Sequence, residues 1–144
     1  MKKTGLGVAL TAVLLTMAPA AQAGLEDGCI VSVVVADISE PTASDTSPLP
    51  HMAAWVRLQA KVRVQVRGAP MPATFTLYNL QHAGMSWART EMVALKRNQT
   101  GELILWSGWY VKENGQGGFA ARDGRALSEV VDSYVQESGA RFCD

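Results

Sequence analysis

Residues 55–67 read Trp-Val-Arg-Leu-Gln-Ala-Lys-Val-Arg-Val-Gln-Val-Arg, and from Val56 onward apolar and polar side chains alternate strictly. Successive side chains of a β-strand point to opposite faces, so this alternation predicts a strand with one apolar and one polar face. The apolar side carries Val56, Leu58, Ala60, Val62, Val64 and Val66. The stretch therefore predicts the main strand of a sheet that packs on a core.

The polar side of this strand is cationic, because it holds four basic residues and no acid: Arg57, Lys61, Arg63 and Arg67. If water covers that face, the charges form a stripe that can meet phosphate, an acidic polysaccharide or an acidic protein. The alternative is that neighbouring strands supply Glu91 or Glu102 as cross-strand ion-pair partners.

Four further stretches have the composition of strands. Residues 29–37 are apolar on both faces and predict a central strand, because a strand covered on both sides is continuously hydrophobic. The other predicted strands are Ala73 to Leu80, Met85 to Leu95 and Glu102 to Val111, separated by turn-forming segments. A meander of about five antiparallel strands is expected, and the Gly-rich residues 114–118 that follow predict a flexible connection.

The C-terminal region predicts one amphipathic helix. Its apolar residues recur at the spacing of a helical stripe: Leu127, Val130, Val131, Tyr134 and Val135. Asp123 is suited to accept hydrogen bonds from the first free amides, and Gly139 is suited to end the last turn. Sheet and helix together predict an α+β fold, with the C-terminal helix packed on one face of the antiparallel sheet.

The first 23 residues have the features of an export signal. Lys2 and Lys3 precede the mostly apolar run Leu6 to Met17, and Ala21-Gln22-Ala23 matches the small-residue cleavage pattern. Cleavage after Ala23 would leave one domain, residues 24–144, in the periplasm or outside the cell. The mature chain contains no apolar run long enough for a transmembrane helix.

Cysteine usage points to the same compartments. Cys29 and Cys143 are the two cysteines of the chain, and they lie near the ends of the mature protein. In an oxidising compartment such a pair is expected to form a disulfide. A metal pair or a redox couple is the alternative, but the chain has no Cys-x-x-Cys motif.

Composition argues against several classes of function. Loss of Lys2 and Lys3 leaves 11 basic and 13 acidic residues, a net charge of about −2, which disfavours a nucleic-acid binder. His51 and His82 are the two histidines, and their spacing fits no zinc motif. There is no Gly-x-Ser-x-Gly motif either. The sequence gives no indication of a cofactor or a metal.

Four tryptophans could anchor an interface: Trp55, Trp87, Trp106 and Trp109. Strict alternation puts Trp106 and Trp109 on opposite faces of one strand, so both cannot lie under the helix. Trp55 and Trp109 join the four basic residues as candidate binding residues, although packing in the core is the alternative for each.

The segment Thr100 to Gly108, with a loop and a final amphipathic helix after it, resembles the end of several small bacterial envelope accessory proteins. The resemblance covers about 40 residues and implies an accessory role in the envelope, without assigning a role to any residue.

These observations favour a small exported protein that works by binding an unknown protein or envelope component. One alternative is a secreted hydrolase that uses a carboxylate pair. Another is a secreted inhibitor or toxin that uses the Pro-rich segment Ser39 to Pro50 as its contact surface. The sequence leaves the partner and the oligomeric state open.

Overall fold

A computed structural model describes residues 28–39, 54–81 and 88–144. The predicted export signal lies outside these residues, as do most of the Pro-rich segment, both histidines and Trp87. The described chain forms six strands and one helix: β1 (Ser32–Ser39), β2 (Ala54–Gly68), β3 (Thr74–Gln81), β4 (Arg89–Arg97), β5 (Leu103–Glu113), β6 (Phe119–Ala121) and α1 (Leu127–Ser138). This mostly antiparallel sheet with its C-terminal helix agrees with the predicted α+β class.

Strand β1 lies in the middle of the sheet. The strand order is β3-β2-β1-β4-β5-β6, so β1 pairs with β2 on one side and with β4 on the other. The prediction of a central first strand is confirmed, but the prediction of a meander is wrong. Both faces of β1 are buried, since Val33, Val34 and Val35 have no exposed surface. A strand of this kind needs a neighbour on each side and a layer above and below.

The sheet curls until β3 meets β5. The two strands pair in parallel at Tyr78 and Ile104, which closes the strands into a ring in the order β1-β2-β3-β5-β4. One hydrophobic cluster fills the inside of this ring: Val34, Ala36, Ile38, Leu58, Ala60, Phe75, Leu77, Val93, Leu95 and Leu103. A closed sheet leaves fewer strand edges open to water.

The helix covers part of the outer surface of the ring. A second buried cluster lies between the helix and the outer faces of β1 and β4: Ile30, Val33, Val35, Met92, Ala94, Ala121, Val130 and Val131. Burying an aliphatic side chain of this size stabilises the fold by about 1.5–3 kcal/mol. The predicted packing of the helix on one face of the sheet is therefore confirmed.

Strand β2 does not keep its apolar residues on one face. Its register against β1 shifts twice, and each shift skips one residue, Arg63 and then Val66. Val62 packs inside the ring, whereas Val64 and Val66 pack in the outer cluster under the helix. A bulge adds an unpaired residue and so changes the face to which later side chains point. The prediction of a single apolar face is wrong at Val64 and Val66.

A bulge also moves Trp106. The register between β4 and β5 shifts between Ala94 and Leu95, which leaves Trp106 without a partner on β4. Trp109 packs edge-on against Tyr134 of the helix, with ring centroids 5.0 Å apart. Trp106 borders a surface pocket that Tyr134 also lines. Both tryptophans therefore adjoin the helix, and the prediction that they lie on opposite faces is wrong because it assumed unbroken alternation.

The sequence prediction is confirmed at the C-terminal end of α1 and is wrong at its N-terminal end. Gly139 ends the helix with φ of 69°, and its amide donates to the Val135 carbonyl at 3.0 Å, as predicted. At the start, Ala126 occupies the capping position and no side chain caps the helix. The predicted Asp123 cap is wrong, because Asp123 Oδ1 accepts from the amide of Arg125 at 3.1 Å, before the helix begins.

The disulfide joins the two ends of the described fold. Cys29 and Cys143 are bonded across 114 residues of sequence, with their Cα atoms 5.0 Å apart. Ile30 extends the connection, since its amide donates to the Arg141 carbonyl at 2.8 Å and its carbonyl accepts from the Cys143 amide at 2.9 Å. The predicted Cys29–Cys143 disulfide is confirmed, and it connects the tail after the helix to the start of the first strand.

The segment 114–118 forms a hydrogen-bonded turn between β5 and β6. Asn114 Oδ1 accepts from the amides of Gln116 at 3.0 Å and Gly118 at 3.1 Å. Gly115 and Gly117 both have φ of 77°, a region that favours glycine. The turn leads into β6, a strand of three residues that is too short to be detected by periodicity.

Candidate binding surface

Arg57 and Lys61 lie at exposed positions on β2. Arg57 is opposite Tyr78 of β3 in the ladder, and Lys61 is opposite Thr74. On the other side of β2, Lys61 is opposite Asp37 of β1. Exposure at these two positions agrees with the predicted polar face of β2.

Arg63 forms contacts within the protein. Its Nη1 lies 3.1 Å from Asp37 Oδ2, and its Nη2 lies 3.7 Å from Glu113 Oε1. The guanidinium also lies over the ring of Phe119, 5.5 Å from the centroid. The acids, Asp37 of β1 and Glu113 of β5, are not the two that the sequence analysis offered as cross-strand partners.

Asp37 is held in its ionised form. The hydroxyl of Thr90 donates to Asp37 Oδ1 at 2.6 Å, and this hydrogen bond is the main reason why the pKa of Asp37 lies below its usual value. Arg63 lowers the pKa of the same carboxyl further, while partial burial opposes both effects. Asp37 and Arg63 therefore form a charged pair on the outer surface of β1 and β2.

Arg67 joins β2 to the C-terminal part of the chain. Its Nη1 lies 2.6 Å from Asp132 Oδ1 on the helix, and its guanidinium lies over the ring of Phe142 at 5.7 Å from the centroid. Two of the four predicted stripe residues, Arg63 and Arg67, thus interact with acids of this chain.

The two candidate tryptophans are separated in the fold. Trp109 is half-buried in the outer cluster beneath the helix. Trp55 belongs to β2, and its side chain lies outside the described part of the protein. The structure does not bring Trp109 together with the basic residues of β2.

An exposed aromatic residue on β5 was missed by the sequence analysis. Tyr110 is 57% exposed and is the one large hydrophobic residue with an exposed side chain among those that the structure describes. The guanidinium of Arg89 lies 5.3 Å from its ring centroid, and that of Arg122 lies 5.9 Å away. The Arg122 amide also donates to the Tyr110 carbonyl at 3.2 Å. Arginine over an aromatic ring is a favourable, desolvation-dependent contact.

A buried carboxylate orders one of these arginines. Glu91 is 5% exposed, and its Oε2 accepts from Arg89 Nε at 2.9 Å. A Cβ atom at Gly108 would overlap the Glu91 carboxylate, so glycine leaves the space that this carboxylate occupies. Among the acidic residues within the described ranges, Glu91 is the one that is buried.

A surface pocket of about 330 Å³ lies beside Tyr110; we call it the Arg122 pocket. Its residues come from β5, β6, the connection after β6 and the helix: Trp109, Tyr110, Ala121, Arg122, Asp123, Arg125 and Val130. Arg125 Nε lies 2.8 Å from Asp123 Oδ2. The pKa of Asp123 is lowered, first by the hydrogen bond from the Arg125 amide and then by the Arg125 side chain.

Sequence patterns could not have identified this cluster. Arg89, Tyr110 and Arg122 lie on three different elements or turns, and only pairing of β4 with β5 and of β5 with β6 brings them together. The one local signal is that Tyr110 stands between Trp109 and Val111, which both pack under the helix. An aromatic residue between two inward positions of a strand is expected on its other face.

The described residues hold no group of three or more His, Cys, Asp or Glu side chains arranged for a metal ion. None of the helical structure in these ranges is long and apolar enough to cross a membrane. Comparison of the chain with protein-family models, with curated proteins and with solved structures found no match.

Proposed function

We propose that this protein is an exported, non-enzymatic binding protein, an accessory factor of the periplasm or the cell exterior that recognises a protein or another envelope component. The export part of the proposal rests on the N-terminal sequence, and the Cys29–Cys143 disulfide is compatible with it. The binding part rests chiefly on one observation, the exposed ring of Tyr110 with the guanidinium groups of Arg89 and Arg122 lying 5.3 Å and 5.9 Å from its centroid.

Tyrosine and arginine are the side chains that most often dominate binding energy at protein interfaces. A tyrosine ring offers a large contact area with few rotatable bonds, and a stacked guanidinium keeps its N–H groups available for acceptors on a partner. The buried Glu91 carboxylate accepts a hydrogen bond from Arg89 and so holds its guanidinium near the Tyr110 ring. Part of the binding surface is therefore ordered before a partner binds. Such preorganisation reduces the entropy lost on binding.

The alternative of a carboxylate-pair hydrolase has less support. A glycosidase mechanism needs two carboxyl groups across a cleft, separated by about 5–10 Å. Glu91 is the single buried acid of the described chain, and its contact is with Arg89 rather than with a second acid. The inhibitor or toxin alternative depends on the segment Ser39 to Pro50, of which the structure describes Ser39 alone.

The proposal is tested by placing a photocrosslinking amino acid at Tyr110 in cells that export the protein. Gln99, an exposed residue in the turn between β4 and β5, is the matched control position. We expect a crosslinked partner at Tyr110 and none at Gln99 after irradiation, detected by mass spectrometry. Equal crosslinking at both positions, or none at Tyr110, would contradict the proposed surface.

A further inference from the structure

We infer that the Arg122 pocket binds the C-terminal residue of a partner polypeptide, with the terminal carboxylate at Arg122 and the last side chain on the apolar floor of the pocket. This inference rests on the proposed binding function and adds the chemistry of what is recognised. Capture of a chain terminus is a recurring mode of peptide recognition.

The floor of the pocket is apolar. Trp109 is half-buried, and Ala121 and Val130 are 5% and 4% exposed. An aliphatic or aromatic side chain placed on this floor would leave water, which contributes about 25 cal/mol for each Å² of apolar surface buried. A volume of about 330 Å³ is at the small end of the range for ligand pockets, so it suits one residue rather than a long segment.

The rim of the pocket carries one unneutralised positive charge. Arg89 is paired with Glu91 and Arg125 with Asp123, whereas Arg122 forms no ion pair with any described residue. A single free guanidinium matches a single carboxylate, which it can bind through two parallel hydrogen bonds. The Asp123 carboxylate at the same rim disfavours a dianionic phosphate group, because like charges repel at short distance.

An apolar floor beside a positively charged rim favours the C-terminal residue of a polypeptide as the ligand. Only the C-terminal residue of a polypeptide carries a free carboxylate and an apolar side chain on the same Cα atom, whereas an internal aspartate or glutamate has no apolar side chain of its own. Although Tyr110 faces away from Trp109, its exposed ring borders the pocket and lies 5.9 Å from the Arg122 guanidinium, so residues that precede a terminus bound at Arg122 can reach this ring. A small free carboxylic acid would leave that ring uncovered.

The test uses the purified, disulfide-bonded protein immobilised on beads. The probe is a pool of hexapeptides with five randomised positions followed by leucine, phenylalanine or valine, prepared once with a free C-terminal carboxylate and once as the C-terminal amide. Bound peptides are eluted and quantified by mass spectrometry. We expect the free-carboxylate pool to be retained at least ten-fold more strongly than the amide pool, since a hydrogen-bonded charge pair contributes at least that factor.

The variant Arg122→Gln should remove most of this preference, because it deletes the charge and keeps the backbone bond to Tyr110. Arg141→Gln is the matched control, an exposed arginine outside the pocket, and it should retain the preference. Thermal unfolding of each variant verifies that the fold is kept. Equal retention of the two pools, or a preference that survives Arg122→Gln, overturns the inference. A partner crosslinked at Tyr110 together with no carboxylate preference would retain the proposed function and reject this ligand class.

Discussion

The guanidinium of Arg67 on β2 donates a hydrogen bond of 2.6 Å to the carboxylate of Asp132 on α1. The same guanidinium lies over Phe142, one residue before the cysteine that closes the disulfide. Arg67 thus contacts the helix and the C-terminal segment at once. A residue that the sequence places on a cationic binding face acts in the structure as a connection between layers of the fold.

Reversal of this charge should destabilise the protein. We expect Arg67→Glu to lower the free energy of unfolding by about 1 kcal/mol, because it places two acids together and removes the contact with Phe142. The effect is limited by solvent, since the Asp132 side chain is 66% exposed. The double variant Arg67→Glu with Asp132→Arg should recover part of the loss in urea unfolding. An additive double variant would show that the pair does not interact.

Truncation of two neighbouring residues of β5 should affect different properties: stability at Trp109 and partner binding at Tyr110. Trp109→Ala should lower the free energy of unfolding by about 3 kcal/mol, because it opens a cavity beside Tyr134. Tyr110→Ala should change stability by less than about 1 kcal/mol and should abolish capture of the partner. Urea unfolding combined with a pull-down separates the two effects. A Tyr110→Ala variant that binds normally would remove Tyr110 from the binding surface.

Reduction of the disulfide should lower the thermal midpoint by more than about 10 °C. Closing a loop of more than 100 residues stabilises a domain by roughly 4 to 5 kcal/mol in the chain-entropy model. Differential scanning calorimetry with and without reductant measures the shift. The variant Cys29→Ala with Cys143→Ala serves as the control, and it should match the reduced protein and no longer respond to reductant. An unchanged midpoint on reduction would contradict the stabilising role.

Gly68 and Gly115 both have positive φ values, yet substitution by alanine should lower the free energy of unfolding more at Gly68. A Cβ atom there would approach the Ser32 Cα to 2.9 Å and also press on the Val31 carbonyl, whereas nothing lies within 4 Å at Gly115. We expect Gly115→Ala to cost about 1 kcal/mol from backbone strain, and Gly68→Ala to cost about 3 kcal/mol. Similar losses in chemical unfolding would show that the backbone near Val31 moves aside.

The hydrogen bond from Thr90 should make stability depend on pH. Because the folded pKa of Asp37 is below the unfolded value of about 3.9, its contribution is present above pH 4 and is lost as pH falls through the folded pKa. The Asp37 side chain is 40% exposed, so screening keeps this contribution below about 1 kcal/mol. Thr90→Val should therefore be less stable than the parent at pH 7, and the difference should shrink as pH falls below 4. A difference that stays constant with pH would contradict this assignment.

Local patterns were sufficient where each element follows its own period. The all-apolar run near Val33 to Val35 predicted a strand covered on both faces, and the stripe through Val130 and Val131 predicted the helix. Predictions based on alternation were wrong from Arg63 and Trp106 onward, where the strands have bulges. A bulge depends on how two strands pair, and the hydrophobic pattern of either strand does not reveal it.

The candidate surface was less predictable than the fold. Composition drew attention to the basic residues of β2, but the acids that meet Arg63 and Arg67 come from β1, β5 and the helix. Tyr110 gained its significance from Arg89 and Arg122, which are distant in sequence. A side chain's exposure and charge partners are set by which strands become neighbours, and this is not encoded in the spacing along one strand.

By itself, the sequence determined the strand-rich composition with its terminal helix, the burial of β1 and the pairing of Cys29 with Cys143, since these follow from periodicity and from a count of two cysteines. The strand order, the closure of β3 on β5 and the approach of two guanidinium groups to the Tyr110 ring became known from the folded structure. The reason is that strand neighbours and bulges arise from contacts between residues far apart in the chain, where the free energy of packing outweighs local preference.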